Sequence, residues 1–168
     1  MKLIGLLNSV CNWINRFVGW IVTALFGIMF VACVWQVFTR HVLNSSAIWT
    51  DETARYAFIW ATMLSATIMT WSKGHAVLSI VVDHLPHKVS AVVQIFSELI
   101  VTSVGYVLVH YASHIIKIAS IQNSPALHLR MDFIYVAVPI CGALFVLYSL
   151  VHIIEIVYLE FIKTGGEE

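Results

Sequence analysis

Charged side chains are scarce in this chain, and their scarcity indicates the class of protein. Only 11% of the 168 residues are Asp, Glu, Lys or Arg, whereas 60% are hydrophobic. Soluble domains carry about 25% charged residues, and a domain of this size cannot hide so much apolar surface from water. The composition therefore predicts a membrane protein whose apolar surface is covered by lipid.

Motifs for catalysis, redox chemistry and nucleic-acid binding are also missing. The sequence contains no G-x-x-x-x-G-K-[ST], no G-x-S-x-G and no H-E-x-x-H, so it offers no common nucleotide-hydrolysing or hydrolase site. Its three cysteines form no C-x-x-C pair, and neither a dithiol nor a zinc site is expected. The formal net charge of +0 argues against a nucleic-acid surface. We predict that the chain is not an enzyme and binds no metal.

Four long windows without charged residues predict four transmembrane helices. An ionised side chain at the bilayer centre costs about 2.5 to 3.5 kcal/mol, so charge-free windows mark the spans. A helix of about 20 residues crosses the hydrocarbon core. The spans are predicted at about 17–39, 48–72, 89–117 and 133–155, and together they form one all-α membrane domain over residues 1–168.

The connections between these spans carry signals of their own. An apolar segment, 76–82, lies between Gly74 and Pro86 and is predicted to form a short interfacial helix. Ser124 and Pro125 mark a turn in the longest loop, between the third and fourth spans. With both termini in the cytoplasm, that side receives five lysines and arginines against four outside. This difference favours that orientation only weakly.

Polar and aromatic residues are densest at the start of the second span, in the segment W-T-D-E-T-A-R-Y-A-F-I-W. On a helix either Asp51 or Glu52 can pair with Arg55, and an arginine at the end of the first span could share these carboxylates. Two interpretations are open, namely internal pairing with interfacial anchoring, or docking of a partner subunit. The cluster consists of Arg40, Trp49, Asp51, Glu52, Arg55 and Trp60.

Two further patterns concern helix packing and the membrane interior. Thr53, Ala57, Ala61 and Ser65 recur every fourth residue and predict a ridge that another helix can approach closely. The approaching helix belongs either to this chain or to another polypeptide. In the third span, Glu98 is a carboxylate on an apolar helix, and such residues usually face protein or water. Both a structural and a functional role are open for it.

Polar residues of the third span suggest one alternative function. They recur every fourth residue, and each step drifts about 40° around the helix, so the series winds to the far side. Its members are Gln94, Glu98, Thr102, Tyr106, His110 and His114. Either His110 or His114 could hold a haem b together with His152 in the fourth span, through two axial ligands.

Several motifs follow one another in an informative order. Q-V-F-T-R at 36–40 closes the first span, and W-x-x-E-x-x-R at 49–55 opens the second. K-G-H follows at 73–75, then S-P-A-L at 124–127 and Pro139 in the fourth span. In this order, within four spans, they resemble the small membrane (Q, or DctQ-like) subunit of tripartite ATP-independent periplasmic (TRAP) transporters.

This resemblance implies a function and partners. The small subunit would scaffold a large membrane subunit of about twelve spans, which carries the substrate and sodium sites and moves like an elevator. A soluble periplasmic protein would deliver an organic acid, of the sialic acid or C4-dicarboxylate type. The small subunit itself would need no cofactor. It would lie in the bacterial inner membrane, surrounded by lipid, with both termini in the cytoplasm.

Overall fold

The computed structural model describes residues 2–45, 47–72 and 87–158, and for residues 2–4 and 87–89 it describes only the backbone. The helices are α1 (Lys2–His41), α2 (Ile48–Trp71), α3 (His87–Ala119), α4 (Asp132–Tyr135) and α5 (Ala137–Val157). No strand occurs in these described ranges, which contain one isolated bridge between Asn123 and Arg130. The interfacial helix predicted for 76–82 lies outside the described residues.

Three of the helical segments are long and apolar enough to cross a membrane, namely Gly5–His41, Ser90–Ala119 and Asp132–Val157. The prediction of an all-α membrane protein is therefore confirmed. α2 is not among the three. It is the second predicted span, and it carries three charged residues in its first two turns. The predicted spans at 17–39 and 89–117 lie within α1 and α3. The one at 48–72 covers α2 and Ser72, and the one at 133–155 covers parts of α4 and α5.

The helices lie side by side in the order α1, α2, α5, α3, because the extensive contacts join α1 to α2, α2 to α5 and α5 to α3. In the most apolar windows of α1 and α3, only 17% and 11% of the residues are buried, against 39% in the window that contains α5. α1 and α3 therefore form the two edges of the layer, and α2 and α5 form its middle.

Both edge helices are longer than a membrane is thick. α1 has 40 residues and α3 has 33, so at about 1.5 Å per residue they measure roughly 60 Å and 50 Å. The hydrocarbon core is only about 30 Å thick. These helices must therefore tilt within the bilayer or extend beyond it.

Asn44 lies three residues beyond the end of α1, in the turn that leads to α2. It adopts a left-handed backbone with a φ of 47°, a conformation that asparagine tolerates better than most residues. The amide of Ser45 then donates to the carbonyl of Thr39 at 3.1 Å, so one of the carbonyls left free at the end of α1 gains a partner. α2 begins at Ile48, the residue at which the sequence predicts its start.

Small residues allow α3 and α5 to pack closely. The buried residues of α3 recur every seventh position, as in helices that pack at a shallow left-handed angle. They are Ala91, Glu98, Gly105, Ala112 and Ala119. At the centre of this seam Gly105 faces Gly142 of α5, and a Cβ built on either glycine would lie 2.8 Å from the backbone oxygen of the other. The two helices are therefore in backbone contact at this crossing.

Proline shapes the fourth predicted span near its start. Pro139 has no amide hydrogen to donate to the carbonyl four residues earlier, which belongs to Tyr135. α4 ends at Tyr135, and α5 begins at Ala137 after the single residue Val136. The local break in this span therefore coincides with the donor that proline lacks.

Candidate functional site

The first turns of α2 hold one of two polar sites in the described chain. Asp51 and Arg55 form an ion pair of 2.7 Å along the helix, with side chains 52% and 64% exposed. Such exposed pairs contribute little to stability. Glu52 points the other way and is only 6% exposed. The two neighbouring carboxylates therefore have different surroundings.

Hydrogen bonds to Glu52 connect the loop between α3 and α4 to the start of α2. Its carboxylate accepts hydrogen bonds from the hydroxyl of Ser124 and from the amides of Ala126 at 3.2 Å and Leu127 at 3.0 Å. These residues define the Glu52 site. A buried carboxylate is stabilised by several donors of this kind. The site joins segments that are more than 70 residues apart in the sequence.

Aromatic contacts extend this connection along α2. Tyr56 donates a hydrogen bond to the sulfur of Met131 at 3.7 Å. One turn further, the ring of Trp60 lies 5.7 Å from that of Phe133 in α4. Trp60 thus belongs to the packing between α2 and the segment that precedes α5.

Arg40 and Trp49, the remaining members of the predicted cluster, lie on the surface. The structure corrects the expectation that Arg40 shares the carboxylates of α2. Among the described residues it pairs with neither Asp51 nor Glu52, because Asp51 pairs with Arg55 and Glu52 faces the loop. Trp49 is 48% exposed. It lines an apolar groove of about 690 Å³ between α1 and α2.

The small-residue ridge of α2 is largely covered by the chain itself. Ala57 and Ala61 are 6% and 0% exposed, so their close neighbours are the other helices of this chain. Thr53 and Ser65 are half-buried, and Thr53 lines the same apolar groove as Trp49. At the centre of the ridge, Ala57 and Ala61 therefore pack within this chain and not against another polypeptide.

Glu98 forms the second polar site, on the seam between α3 and α5. It is 8% exposed. The hydroxyl of Ser149 lies 2.5 Å from Oε2 and 2.6 Å from the backbone oxygen of Glu98 and donates to them. Nδ1 of His152 lies 3.1 Å from Oε1. Two polar side chains of α5 thus face this carboxylate inside the helical layer, as is usual for ionisable groups in membrane helices.

Trp71 connects this second site to α1. Its indole stacks on the imidazole of His152 with a centroid distance of 5.1 Å. Its N–H donates to the side-chain oxygen of Asn12 at 2.8 Å. Together with Glu98 and Ser149 these residues define the Glu98 site. It draws side chains from α1, α2, α3 and α5, and a pocket of about 250 Å³ lies beside it.

The comparisons with known proteins agree with this architecture. The family model for the DctQ component of tripartite ATP-independent periplasmic transporters matches residues 29–158, more than three quarters of the chain. The chain belongs to the DctQ family. It is therefore a component of a transporter and not an enzyme. The matched segment includes both carboxylates of the polar sites, Glu52 and Glu98.

This DctQ component matches nearly the full length of one relative but only a minor part of another. It is 20% identical to a putative TRAP transporter small permease protein of Haemophilus influenzae (strain ATCC 51907 / DSM 11121 / KW20 / Rd), over 93% of the chain and 97% of that protein. It is 23% identical to the sialic acid TRAP transporter permease protein SiaT of Haemophilus influenzae (strain 86-028NP), over 79% of the chain but only 22% of SiaT.

Two further relatives share shorter regions with the DctQ component. The sialic acid TRAP transporter small permease protein SiaQ of Vibrio cholerae is 26% identical over 57% of the chain and 56% of SiaQ. The isethionate TRAP transporter permease protein DctMQ of Oleidesulfovibrio alaskensis is 26% identical over 60% of the chain and 16% of DctMQ. Like SiaT, DctMQ is much longer than this chain.

The haem alternative is not supported by the geometry of this DctQ component. His152 is buried against Glu98, whereas His110 and His114 are exposed. His110 lies twelve residues beyond Glu98 on α3, roughly 18 Å along the helix, so the predicted axial ligands do not meet. The described residues contain no group of three His, Cys, Asp or Glu placed to hold a metal ion.

Sequence reasoning missed several members of the Glu98 site and its seam. Asn12, Gly142 and Ser149 were not singled out. A signal was present for two of them, because Gly142 and Ser149 are seven residues apart and therefore share a face of α5, as Gly105 and Glu98 do on α3. Asn12 had no such signal, because its partner Trp71 comes from a different helix.

Proposed function

We propose that this DctQ component is the small permease subunit of a TRAP transporter and that it holds a large permease subunit in the membrane. The observation that carries the proposal is the share of each related protein that matches this chain. The region related to this chain occurs as a protein of similar length named a small permease, and also as a minor part of longer permease proteins. That distribution supports a role beside a large membrane subunit.

The two polar sites also support a scaffolding role. The carboxylate of Glu52 is occupied by a loop of the same chain, and that of Glu98 contacts two side chains of α5. Both sites therefore link helices to one another. A layer of long helices fastened in this way enlarges the part of a transporter that stays fixed while another part moves.

The finer features of the proposal concern substrate, coupling and orientation. The transported compound is an organic acid of the sialic acid or C4-dicarboxylate type, delivered by a periplasmic substrate-binding protein. The large subunit, of about twelve spans, carries the sodium coupling. Relatives whose names mention sialic acid or isethionate, both organic acids, support this class of substrate. The chain lies in the bacterial inner membrane with both termini cytoplasmic.

In this orientation the Glu52 site lies at the periplasmic end of the layer. We assign the predicted cluster two roles there. Glu52 and Trp60 hold the fold, through the loop contacts and the packing on Phe133 described above. The exposed members remain available for docking a partner subunit. They are Arg40, Trp49, Asp51 and Arg55.

Transport by the complete system tests this proposal. Cells that express the large permease and the binding protein, with or without this chain, are supplied with radiolabelled sialic acid or succinate in a sodium gradient. We expect uptake of one of these acids only when all three proteins are present, and its loss when the sodium gradient is collapsed. Equal uptake with and without the chain would refute the proposed role.

A further inference from the structure

A polar pocket of about 250 Å³ lies at one end of the helical layer, beside the Glu98 site. Three helices supply its lining, which also includes the residue that follows the last turn of α2. The lining residues are Asn8, Asn12, Trp71, Ser72, His152 and Glu155. Because α2 is a predicted span that ends at Trp71, the pocket lies where a membrane helix meets lipid headgroups and water.

His152 turns one ring nitrogen towards this pocket. The side chain is only 2% exposed, its Nδ1 lies 3.1 Å from Oε1 of Glu98, and one face of its ring stacks on Trp71. The remaining edge of the ring carries Nε2, and this edge is the part that lines the pocket. Among the described residues Nε2 has no hydrogen-bond partner.

The contact between His152 and Glu98 indicates that Nε2 is a hydrogen-bond acceptor. The carboxylate of Glu98 also accepts a hydrogen bond from the hydroxyl of Ser149. An ionised carboxylate can only accept, so a neutral imidazole beside it carries its proton on Nδ1 and keeps a lone pair on Nε2. The Glu98 site thus fixes an acceptor at the wall of the pocket.

Asn8 contributes a second acceptor to the pocket. Its side-chain oxygen is buried and forms no hydrogen bond with the described chain. Buried polar atoms without a partner are rare in folded proteins, so this oxygen indicates that a donor from outside the chain occupies the pocket. The side-chain oxygens of Asn12 and Ser72 can each accept a further hydrogen bond, because an amide or hydroxyl oxygen has two lone pairs.

The lining favours a donor that carries positive charge. It includes the carboxylate of Glu155, and none of the described residues that line it is a lysine or arginine. An anion would be repelled by this carboxylate, whereas a cation is attracted to it and to the indole of Trp71. The described residues provide no group of three ligands for a metal ion. A primary ammonium group, with three N–H donors, fits the lining.

We propose that this pocket binds a primary ammonium group, which donates hydrogen bonds to Nε2 of His152 and to the side-chain oxygen of Asn8. The ammonium belongs either to the headgroup of phosphatidylethanolamine or to a soluble amine such as ethanolamine. A water-sized group takes up about 30 Å³, so the pocket has room for the ammonium and the two carbons that carry it. This inference goes beyond the proposed function, because it assigns a ligand to the small subunit itself.

Methylated analogues of the ligand test the assignment on the full chain in mild detergent. Dioleoyl-phosphatidylcholine differs from dioleoyl-phosphatidylethanolamine in three methyl groups that replace the N–H donors, as choline differs from ethanolamine. Native mass spectrometry compares the two lipids, and the Tm of the chain compares the two soluble amines. A hydrogen bond from a charged donor corresponds to about tenfold in affinity. We therefore expect the unmethylated ligand to bind about tenfold more tightly.

The two comparisons distinguish the sources of the ammonium. Discrimination between the lipids supports the inference with a lipid headgroup as the ligand, and discrimination between the soluble amines supports it with a soluble ligand. An absence of discrimination in both comparisons would mean that the pocket holds only water, and it would overturn the inference. The large permease takes no part in either measurement, so the proposed function stands or fails separately.

Two asparagine variants locate the ligand. Asn8→Leu removes one acceptor from the pocket without touching the Glu98 site. Asn15→Leu is the matched control, because the side-chain oxygen of Asn15 is also buried without a partner in the described chain but does not line the pocket. A preference shared by two acceptors should fall to about threefold in Asn8→Leu and stay near tenfold in Asn15→Leu. An unchanged preference in Asn8→Leu, or an equal loss in both variants, would contradict the assignment.

A lysine of the chain itself provides a last test. Lys73 follows Ser72 directly in the sequence, and its ammonium offers the same three donors. We expect Lys73→Gln to discriminate between the methylated and unmethylated ligands as the wild type does. Discrimination that appears only in Lys73→Gln would show that the lysine fills the pocket of the wild type, and it would overturn the inference of an external ligand.

Discussion

The contact between Gly105 and Gly142 allows a prediction whose magnitude follows from the structure. In Gly142→Ala the new Cβ would lie 2.8 Å from the backbone oxygen of Gly105, 2.9 Å from Val109 and 3.0 Å from Leu108. Ordinary contacts begin near 3.4 Å. The backbones of α3 and α5 must therefore separate by about 0.6 Å, the difference between 3.4 and 2.8.

This separation loosens the whole crossing between α3 and α5. A radial gap of about 0.5 to 1 Å forfeits a quarter to a half of each van der Waals contact, and overpacking of this kind costs about 1 to 3 kcal/mol. Gly19→Ala is the matched control, because nothing lies within 4 Å of its added Cβ. Both variants gain the same helix propensity, so the difference between them isolates the packing cost.

Thermal unfolding in mild detergent, followed by tryptophan fluorescence, measures this difference. For chains of this length about 1 kcal/mol corresponds to about 2–4 °C in Tm. We therefore expect Gly142→Ala to unfold about 2–12 °C below Gly19→Ala. Gly105→Ala should behave similarly, because its Cβ meets the carbonyl of Gly142 at the same distance. Equal Tm values for Gly142→Ala and Gly19→Ala would refute the reasoning.

Three further predictions concern the polar sites and the cysteines. Glu52→Ala removes the acceptor of two backbone amides and one hydroxyl, so the loop between α3 and α4 should exchange its amide hydrogens about tenfold faster. Asp51→Ala, on the exposed side, should leave this exchange unchanged. Ser149→Ala removes a donor to a buried carboxylate and should lower the free energy of unfolding by about 1 to 3 kcal/mol in a denaturant titration. A maleimide should modify exposed Cys33 in mild detergent, and buried Cys141 only after unfolding.

Each of these predictions has a result that contradicts it. Unchanged exchange in Glu52→Ala would mean that the loop is held by other contacts. Wild-type stability of Ser149→Ala, with Ser103→Ala as the exposed control, would show that the hydroxyl contributes nothing to the Glu98 site. Equal labelling rates for Cys33 and Cys141 in the folded chain would be inconsistent with the burial of α5.

The all-α membrane class and the start of α2 at Ile48 followed from patterns within single helices. Charge-free windows and helical periodicity are local properties, so the sequence displays them directly. The drift of the polar series in α3 is another example. A step of about 40° brings the series from Glu98, which is buried, to His114, which is exposed.

Contacts between distant helices were harder to predict. Spacing alone allowed both Asp51 and Glu52 to pair with Arg55, and only the position of the loop shows why Glu52 turns away to meet Ser124. The haem alternative depended on His110 and His152 lying at the same depth. The register of α3 against α5 determines that depth. It depends on the contact between Gly105 and Gly142, and the seven-residue spacing within each helix does not show which glycine meets which.

The position of α5 between α2 and α3 has a consequence for biogenesis. α3 is synthesised before the helix that lies beside it, and Ser149 follows Glu98 by 51 residues. At about 5 to 20 residues per second, roughly 3 to 10 s pass before that hydroxyl leaves the ribosome. A nascent chain arrested before Ala137 would present the small-residue seam of α3 without the helix that covers it in the finished protein.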